Sequence, residues 1–205
     1  MRNENGFDLW AQDYDKSVGL SDEANSYPFA GYKKVLGEIF NRILAGTGRK
    51  VLDLGFGTGT LTAKLYENGC TIWGQDFSRR MIEIAQEKMP DAHLYQGDFS
   101  GGLVEKLQTQ KYDCIVATYT LHHLTDPEKI DFLNTLLTRL RPDGRIYIGD
   151  VAFETRNDLE ACRAKNGDTW DDKEAYFVYE EIKQHFTNIT FTKFSDCAGV
   201  FELWA

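Results

Sequence analysis

The feature that most constrains the fold of this chain is a glycine-rich segment between an apolar run and a helical pattern. The segment V-L-D-L-G-F-G-T-G-T-L-T (51–62) carries Gly55, Gly57 and Gly59. Glycine permits tight turns and lets a ligand approach the backbone closely, and the following helix would point its N–H groups at that ligand. The pattern is weak alone, but a strand precedes it, a helix follows it, and a second strand ends at Asp76. The segment therefore predicts a ligand-binding loop.

Short β-rich runs alternate with helical patterns from residue 50 onward. Strands are predicted at 50–54, 71–76, 92–96, 113–118 and 145–151, and helices at 61–68, 78–89 and 126–140. Asp126 is the predicted N-cap of the third helix, and residues 142–144 are predicted to form a turn. Strands that alternate with helices in short units form a mostly parallel sheet covered on both faces.

The C-terminal part of the chain has a different pattern. Residues 152–170 are polar and irregular, which predicts an insertion near the substrate pocket, and residues 171–186 have helical periodicity. Two strands at 188–195 and 199–204 are too close together for a crossover helix, so they are predicted to form an antiparallel hairpin. The expected fold is α/β, with a doubly wound, mostly parallel seven-stranded sheet that finishes on an antiparallel edge strand.

The length of 205 residues fits one domain, here 1–205. Within it we expect an N-terminal helical cap over 1–45, a ligand-binding core over 46–151, and the insertion, last helix and hairpin over 152–205. The irregular aromatic segment 7–15 is a candidate lid.

Composition narrows the possible partners. The net charge of -9 disfavours binding to phosphate backbones, so no nucleic-acid partner is expected. No apolar run approaches the roughly 20 residues of a membrane span, and the N-terminal residues lack the apolar core of a secretory signal; we expect a cytoplasmic protein that does not enter membranes. The four cysteines form no C-x-x-C pair, and neither a disulfide framework nor a metal site is expected.

Two residues argue against a dinucleotide as the ligand of the glycine loop. The dinucleotide pattern G-x-G-x-x-G requires a glycine where this chain has Thr60. Asp53, inside the first strand, would repel a pyrophosphate and attract a cation. S-adenosylmethionine carries a sulfonium and an ammonium group, so an acidic pocket suits it. The alternative role for Asp53 is to cap the glycine loop.

Two further carboxylates follow predicted strands. Asp76, at the end of the second strand, can accept hydrogen bonds from both hydroxyls of a ribose; its alternative role is to help cap the helix that starts near Ser78. Asp98 follows the third strand and could accept a hydrogen bond from an adenine amino group, while the Phe99 amide meets a ring nitrogen. The alternative for Asp98 is a simple turn.

Taken together, these segments resemble the class I S-adenosylmethionine-dependent methyltransferases of the small bacterial type, over nearly the whole chain. The matching segments are V-L-D-L-G-F-G-T-G, G-Q-D-F-S-R-R-M-I, Q-G-D-F, Y-D-C-I-V-A-T-Y-T-L-H-H-L (112–124) and L-R-P-D-G-R-I-Y-I (140–148). The resemblance implies a Rossmann-like fold, S-adenosylmethionine as methyl donor, S-adenosylhomocysteine as product, and a methyl acceptor that we expect to be a small molecule. Oligomeric state stays open.

The resemblance also implies a cofactor site. Asp76 would hold the ribose, Phe77 and Met81 would flank the adenine, and Tyr14 would lie near the methionine part. The full predicted set of cofactor-binding residues is Tyr14, Asp53, Gly55, Gly57, Gly59, Asp76, Phe77, Met81, Asp98, Phe99 and Thr118.

The exit loop after the fourth strand, residues 117–124, is where such enzymes bring the acceptor to the methyl group. His122 and Tyr119 are the predicted catalytic residues. His122 would act as a general base or orient the acceptor, with a purely structural role as the alternative. His123 is predicted to be buried and bonded to backbone. Tyr119 either lines the acceptor pocket or packs in the core. Two rival functions are a nucleotide-dependent oxidoreductase and a non-catalytic module that binds S-adenosylmethionine.

Overall fold

The structure is a computed structural model that describes residues 26–205. The predicted lid 7–15, with Tyr14, and the first part of the predicted N-terminal cap lie outside these residues.

The elements follow one another as alternating helices and strands. Helices are α1 (Tyr32–Ala45), α2 (Thr60–Glu67), α3 (Arg79–Lys88), α4 (Glu105–Gln108), α5 (Asp126–Leu137), α6 (Arg156–Asn166) and α7 (Tyr179–Ile182). Strands are β1 (Lys50–Leu54), β2 (Thr71–Asp76), β3 (His93–Gln96), β4 (Tyr112–Thr118), β5 (Leu140–Phe153), β6 (Phe177–Val178), β7 (Ile189–Lys193) and β8 (Ala198–Leu203). Within residues 26–205, four 3₁₀ turns lie at Phe99–Gly101, Leu121–His123, Gly167–Thr169 and Lys183–His185.

The strands form one sheet in the order β3-β2-β1-β4-β5-β8-β7. β1 to β5 pair in parallel, and β8 runs antiparallel to both β5 and β7. The α/β fold with a mostly parallel sheet is confirmed. The antiparallel last strand lies inside the sheet and not at its edge, and the two-residue β6 adds an eighth strand by pairing with the end of β5.

Helices cover both faces of the sheet. Because successive side chains of a strand point to opposite faces, each strand contributes residues to both apolar layers. Val51 of β1 belongs to one apolar cluster with residues of α1, α2 and α3. Its neighbour Leu52 belongs to the other cluster, with α5 residues such as Leu133. This doubly wound arrangement leaves the carboxyl ends of β1, β2 and β4 together at one edge, where ligands bind in open α/β sheets.

Two predictions for the C-terminal part are wrong. Residues 171–186 do not form one helix: Phe177 and Val178 pair with the end of β5, and the helical part is limited to single turns. Consecutive aromatic and β-branched residues favour extended backbone, which overrides the helical spacing. The segment 152–170 is not irregular, since it contains α6, which a capping box of Thr155 and Asp158 begins.

Two smaller boundary predictions also change. The N-cap of α5 is Thr125, whose capping box with Glu128 leaves Asp126 as the first helical residue. The predicted turn at 142–144 is a bulge within β5, where the register passes from Leu140 opposite Tyr112 to Arg145 opposite Cys114.

Two features of composition have structural counterparts. All four cysteines are free and buried, as expected for a chain without a disulfide framework. Among helices between residues 26 and 205, none combines the length and apolar character that crossing a bilayer requires.

Candidate active site

The glycine loop connects β1 to α2 through a series of left-handed residues. Gly55, Gly57 and Gly59 have φ values of 67°, 56° and 80°, which disfavour residues with side chains. A Cβ on Gly55 would lie 2.1 Å from Oγ1 of Thr120, whereas a Cβ on Gly57 would meet no atom of residues 26–205 within 4 Å. The loop therefore packs tightly at Gly55 and opens onto unfilled space at Gly57.

Asp53 lies beneath this loop with 1% of its surface exposed. Its Oδ2 accepts a hydrogen bond from the Thr62 hydroxyl, while its buried Oδ1 has no hydrogen-bond partner in the described part of the chain. Burial raises the pKa of Asp53 to about 7, with a further contribution from Asp76, against the opposing effect of the Thr62 hydrogen bond. Asp53 lines a cavity together with Gly57 and Thr118. A buried oxygen without a partner beside a cavity suits a cationic or N–H-bearing ligand.

Asp76 links the end of β2 to the glycine loop. Its Oδ2 accepts the Gly57 N–H at 2.8 Å, and its Oδ1 accepts the Ser78 N–H at 2.9 Å. Ser78 itself caps α3 by accepting the Met81 N–H at 3.2 Å. A carboxylate oxygen can accept more than one hydrogen bond, so ribose hydroxyls can add to these contacts.

The residues predicted around the adenine lie after β2 and β3. Phe77 follows β2 directly, and its carbonyl accepts a hydrogen bond from Gln96 at 3.3 Å. Met81 is buried in the first turn of α3. Asp98 accepts the Ser100 N–H at 2.9 Å, so the alternative of a turn is observed at this position.

Phe99 and Thr118 occupy different environments. The Phe99 ring is buried and stacks on Phe132 with ring centroids 6.0 Å apart, so this ring belongs to the core. Thr118 ends β4 and lines the same cavity as Asp53. The structure therefore brings Thr118 to the glycine loop and assigns the Phe99 side chain to packing.

Tyr119 begins the exit loop in an unusual conformation. Its φ of 50° is positive, and its N–H donates to the Gly149 carbonyl at 2.7 Å. Its ring contacts Phe29 and Tyr32 at centroid distances of 5.4 and 5.1 Å. Tyr119 and Tyr32 both line the cavity with Asp53, so Tyr119 is at once a packing residue and a wall of the cavity.

His122 lies in the 3₁₀ turn of the exit loop and contacts a buried carboxylate. The ring Nδ1 of His122 lies 2.6 Å from Oδ1 of Asp150, and the backbone N–H of His122 donates to Oδ2 of Asp150 at 3.3 Å. Since a carboxylate only accepts, this contact fixes the proton of the neutral ring on Nδ1. Burial disfavours the imidazolium, but the carboxylates of Asp150 and Glu174 outweigh burial and raise the pKa of His122.

His123 differs from its prediction. Its side chain is 23% exposed, compared with 13% for His122, and its Nδ1 lies 2.8 Å from the carboxylate of Glu174. The prediction of a buried ring is therefore wrong, and the more enclosed ring is that of His122. His123 contacts Glu174 because the neighbouring segment is held at the exit loop. The Ala175 N–H donates to the His122 carbonyl at 2.8 Å, which brings Glu174 to the loop.

The same fold occurs in solved methyltransferase structures. The magnesium protoporphyrin IX methyltransferase of Synechocystis with bound SAH has a TM-score of 0.67 at 19% identity, covering 86% of this chain and 85% of its own. The DhpI–SAH complex has a TM-score of 0.70 at 19% identity, covering 97% and 93%. These likenesses show a shared fold.

Sequence relatives decide the family. A model described as a methyltransferase domain matches residues 51–144. An uncharacterized methyltransferase of Anoxybacillus flavithermus is 40% identical over 159 residues, 78% of this chain and 72% of the relative. Another, of Geobacillus thermodenitrificans, is 36% identical over 194 residues, 91% of this chain and 87% of the relative. The chain belongs to the class I S-adenosylmethionine-dependent methyltransferases.

Sequence reasoning missed two carboxylates of this methyltransferase. Asp150 lies near the predicted end of the fifth strand, beside the exit loop of the fourth, so the neighbouring carboxyl ends of parallel strands could have indicated it. Glu174 had no such signal, because its segment was predicted as part of a helix. With Glu174 in place, the methyltransferase also brings together His122, His123 and Glu174, a possible metal-ligating group that the sequence does not indicate.

Proposed function

We propose that this methyltransferase binds S-adenosylmethionine over the glycine loop and transfers its methyl group to a small-molecule acceptor at the exit loop. The observation that carries the proposal is the buried Oδ1 of Asp53, which has no hydrogen-bond partner among residues 26–205 and lies beside the cavity that Gly57 and Thr118 line. An oxygen in this position can gain a partner from a ligand in the cavity, and a ligand with cationic groups compensates its charge best.

Three features support the placement of the cofactor. Among residues 26–205 nothing would contact a Cβ on Gly57, so a ligand can approach the backbone there, and the Asp76 carboxylate accepts the Gly57 N–H beside it. A carboxylate after the second strand is suited to ribose hydroxyls. The acidic Asp53 at the other side of the loop suits the amino-acid end. Phe77, Met81 and Asp98, which follow β2 and β3, are proposed to contact the adenine.

The acceptor is proposed to lie against Tyr119 and His122. Bound S-adenosylmethionine supplies a methyl group on a sulfonium, a leaving group that needs no acid. The protein then has to align the acceptor, exclude water and, for a protic acceptor, handle one proton. Tyr119 lines the cavity, and His122, three residues further along the exit loop, is oriented by Asp150. An oriented imidazole at this position favours an enzyme over a binding module. A cytoplasmic location stays a prediction.

The test is an acceptor screen with methyl-labelled S-adenosylmethionine on the full chain. Hydroxyl, thiol, amine and carbon acceptors are offered in parallel, and the label is followed into product together with S-adenosylhomocysteine. We expect transfer to at least one acceptor class by the wild type and none by Gly57→Val. Tight cofactor binding without transfer to any acceptor would support the binding module instead.

A further inference from the structure

The histidine–glutamate cluster, defined as His122, His123 and Glu174, collects three potential ligand atoms on the exit loop. One ligand atom from each residue lies within 4.8 Å of the other two. Oε2 of Glu174 is 2.8 Å from Nδ1 of His123 and 3.7 Å from Nε2 of His122. The two rings meet edge to face with centroids 4.3 Å apart.

This convergence depends on a specific backbone arrangement. Consecutive side chains usually point apart, but the 3₁₀ turn Leu121–His123 directs both rings toward one carboxylate. The Ala175 N–H donates to the His122 carbonyl at 2.8 Å. This hydrogen bond joins two segments that are distant in the chain and keeps Glu174 beside both histidines.

Asp150 determines which nitrogen of His122 faces Glu174. Asp150 has no exposed surface, and its Oδ1 accepts from both His122 Nδ1 at 2.6 Å and the Val151 N–H at 2.8 Å. With the ring proton on Nδ1, Nε2 carries a lone pair on the side of Glu174. Histidines that ligate metals have this arrangement, in which a carboxylate holds the opposite ring nitrogen.

Charge in the cluster also favours a divalent cation. Asp150 and Glu174 contribute two carboxylates around two imidazoles. Lys129, a cation that acts on His122, is itself engaged by Asp126 at 2.8 Å and by the Ala175 carbonyl. A dication bound to the two ring nitrogens and Glu174 would balance both carboxylates.

We propose that His122 Nε2, His123 Nδ1 and a Glu174 oxygen bind one divalent transition-metal ion, and that Zn²⁺ fits the donor set best. Two imidazoles and a carboxylate are a common three-ligand set of zinc sites with an open fourth position. Ligands about 2.0–2.1 Å from a tetrahedral Zn²⁺ are roughly 3.3 Å apart. The separations of 2.8 and 3.7 Å lie on either side of this value, so loading requires side-chain shifts. The 2.8 Å contact with the Glu174 carboxylate also places the proton of the neutral His123 ring on Nδ1, so the ion replaces that proton, which moves to Nε2 or leaves to water.

The fourth position gives the site a role that rests on the proposed function. A hydroxyl or thiol bound to the ion loses its proton to water near neutral pH. The electron pair of that oxygen or sulfur then forms the bond to the methyl carbon while the carbon–sulfonium bond breaks. In the loaded protein, the handling of the acceptor proton thus passes from His122 to the ion, and the acceptor class is an alcohol, phenol or thiol.

The test measures metal binding by the full chain, without any acceptor. Chelator-treated protein is titrated with Co²⁺, whose tetrahedral complexes absorb visible light, and Zn²⁺ is then added as competitor. We expect one Co²⁺ per chain, displacement by one Zn²⁺, and a rise in melting temperature with Zn²⁺ because a ligand of the native state stabilises it. Absence of stoichiometric binding would overturn the proposal.

Variants assign the ligands. Glu174→Gln and His123→Ala should each weaken Zn²⁺ binding by more than about 100-fold, and Asp150→Asn by roughly 10–100-fold, the range for residues that orient a metal ligand. His93→Gln, outside the cluster, is the matched control and should bind as the wild type does. Unchanged affinity in Glu174→Gln, shown by its thermal transition to be folded, would contradict the assignment.

Calorimetry with S-adenosylhomocysteine on the same proteins separates this site from the cofactor site. Loss of metal binding with unchanged S-adenosylhomocysteine affinity is expected for Glu174→Gln. A wild type that binds S-adenosylhomocysteine but no metal refutes only the metal site, whereas a wild type that binds metal but no S-adenosylhomocysteine refutes the proposed cofactor.

Discussion

Nδ1 of His122 lies 2.6 Å from Oδ1 of Asp150, a carboxylate with no exposed surface. The pair joins the exit loop after β4 to the C-terminal part of β5. It fixes one face of the imidazole and leaves Nε2 on the side of Glu174. The chemistry of the acceptor site therefore depends on a residue that itself has no contact with solvent.

The first prediction concerns this pair. His122→Gln should lower single-turnover methyl transfer by roughly 10²-fold while S-adenosylhomocysteine affinity stays unchanged, because the variant removes a group that handles the acceptor proton, directly or as a ligand of the proposed ion, and leaves the cofactor contacts in place. His123→Gln should change the melting temperature little, since its ring is partly exposed. Full turnover by His122→Gln would show that the histidine only lines the acceptor pocket.

The second prediction concerns Asp76. Asp76→Ala should weaken S-adenosylhomocysteine binding by about 1–3 kcal/mol, the cost of leaving ribose hydroxyls without a charged acceptor. Asp91→Ala, which removes a surface carboxylate that accepts from Tyr66, is the control and should bind normally. Equal affinities of the two variants in calorimetry would remove Asp76 from the site.

The third prediction concerns the open space of the glycine loop. Gly57→Val should abolish cofactor binding in a folded protein, because its side chain would fill the space where ligand and backbone meet. Gly69→Val is a matched control: Gly69 has a φ of 84°, and an added Cβ there also meets nothing within 4 Å. The control carries comparable backbone strain away from the site, so comparable loss of binding in both variants would point to strain and not to occupied space.

The fourth prediction is a pH dependence that Asp53 causes. Burial raises its pKa from 3.8 to about 7, so the ionised fraction of this carboxyl in the folded protein rises around that value. A cationic ligand favours the carboxylate, so the affinity for S-adenosylmethionine should rise between about pH 6 and about pH 8. Calorimetry should show proton release on binding at the lower pH, and Asp53→Asn should bind more weakly with a flatter pH profile. A wild-type affinity independent of pH would contradict this role.

The same shift gives a stability prediction with a definite sign. A carboxyl whose pKa is higher in the folded than in the unfolded protein binds more protons when folded, so stability falls as pH rises through that interval. We therefore compare the free energy of unfolding of the wild type with that of Asp53→Asn, both without ligand. The wild-type value minus the variant value should decrease from about pH 4 to about pH 7 and stay constant at higher pH. Denaturant titrations of both proteins across this range measure it, and an increase in the difference would contradict the assigned shift.

The sequence predicted most of the cofactor half of the molecule, because its signals are local. Strands β1 to β4, helices α2 and α3, the Ser78 cap and the glycine loop each depend on residues close together in the chain. The C-terminal part depends on distant contacts: Phe177 and Val178 follow the end of β5 and not their helical spacing. Because Glu174 is positioned by this pairing and by the Ala175 hydrogen bond, no local pattern could place it beside the histidines.

A crystal structure of the full chain with S-adenosylhomocysteine tests the central claim most directly. The account predicts that the ligand lies over residues 55–59 with its ribose hydroxyls hydrogen-bonded to Asp76. Its amino-acid end should lie toward Asp53, and its sulfur should face Tyr119 and His122. Density for the ligand away from the glycine loop, or a ribose without contact to Asp76, would contradict it.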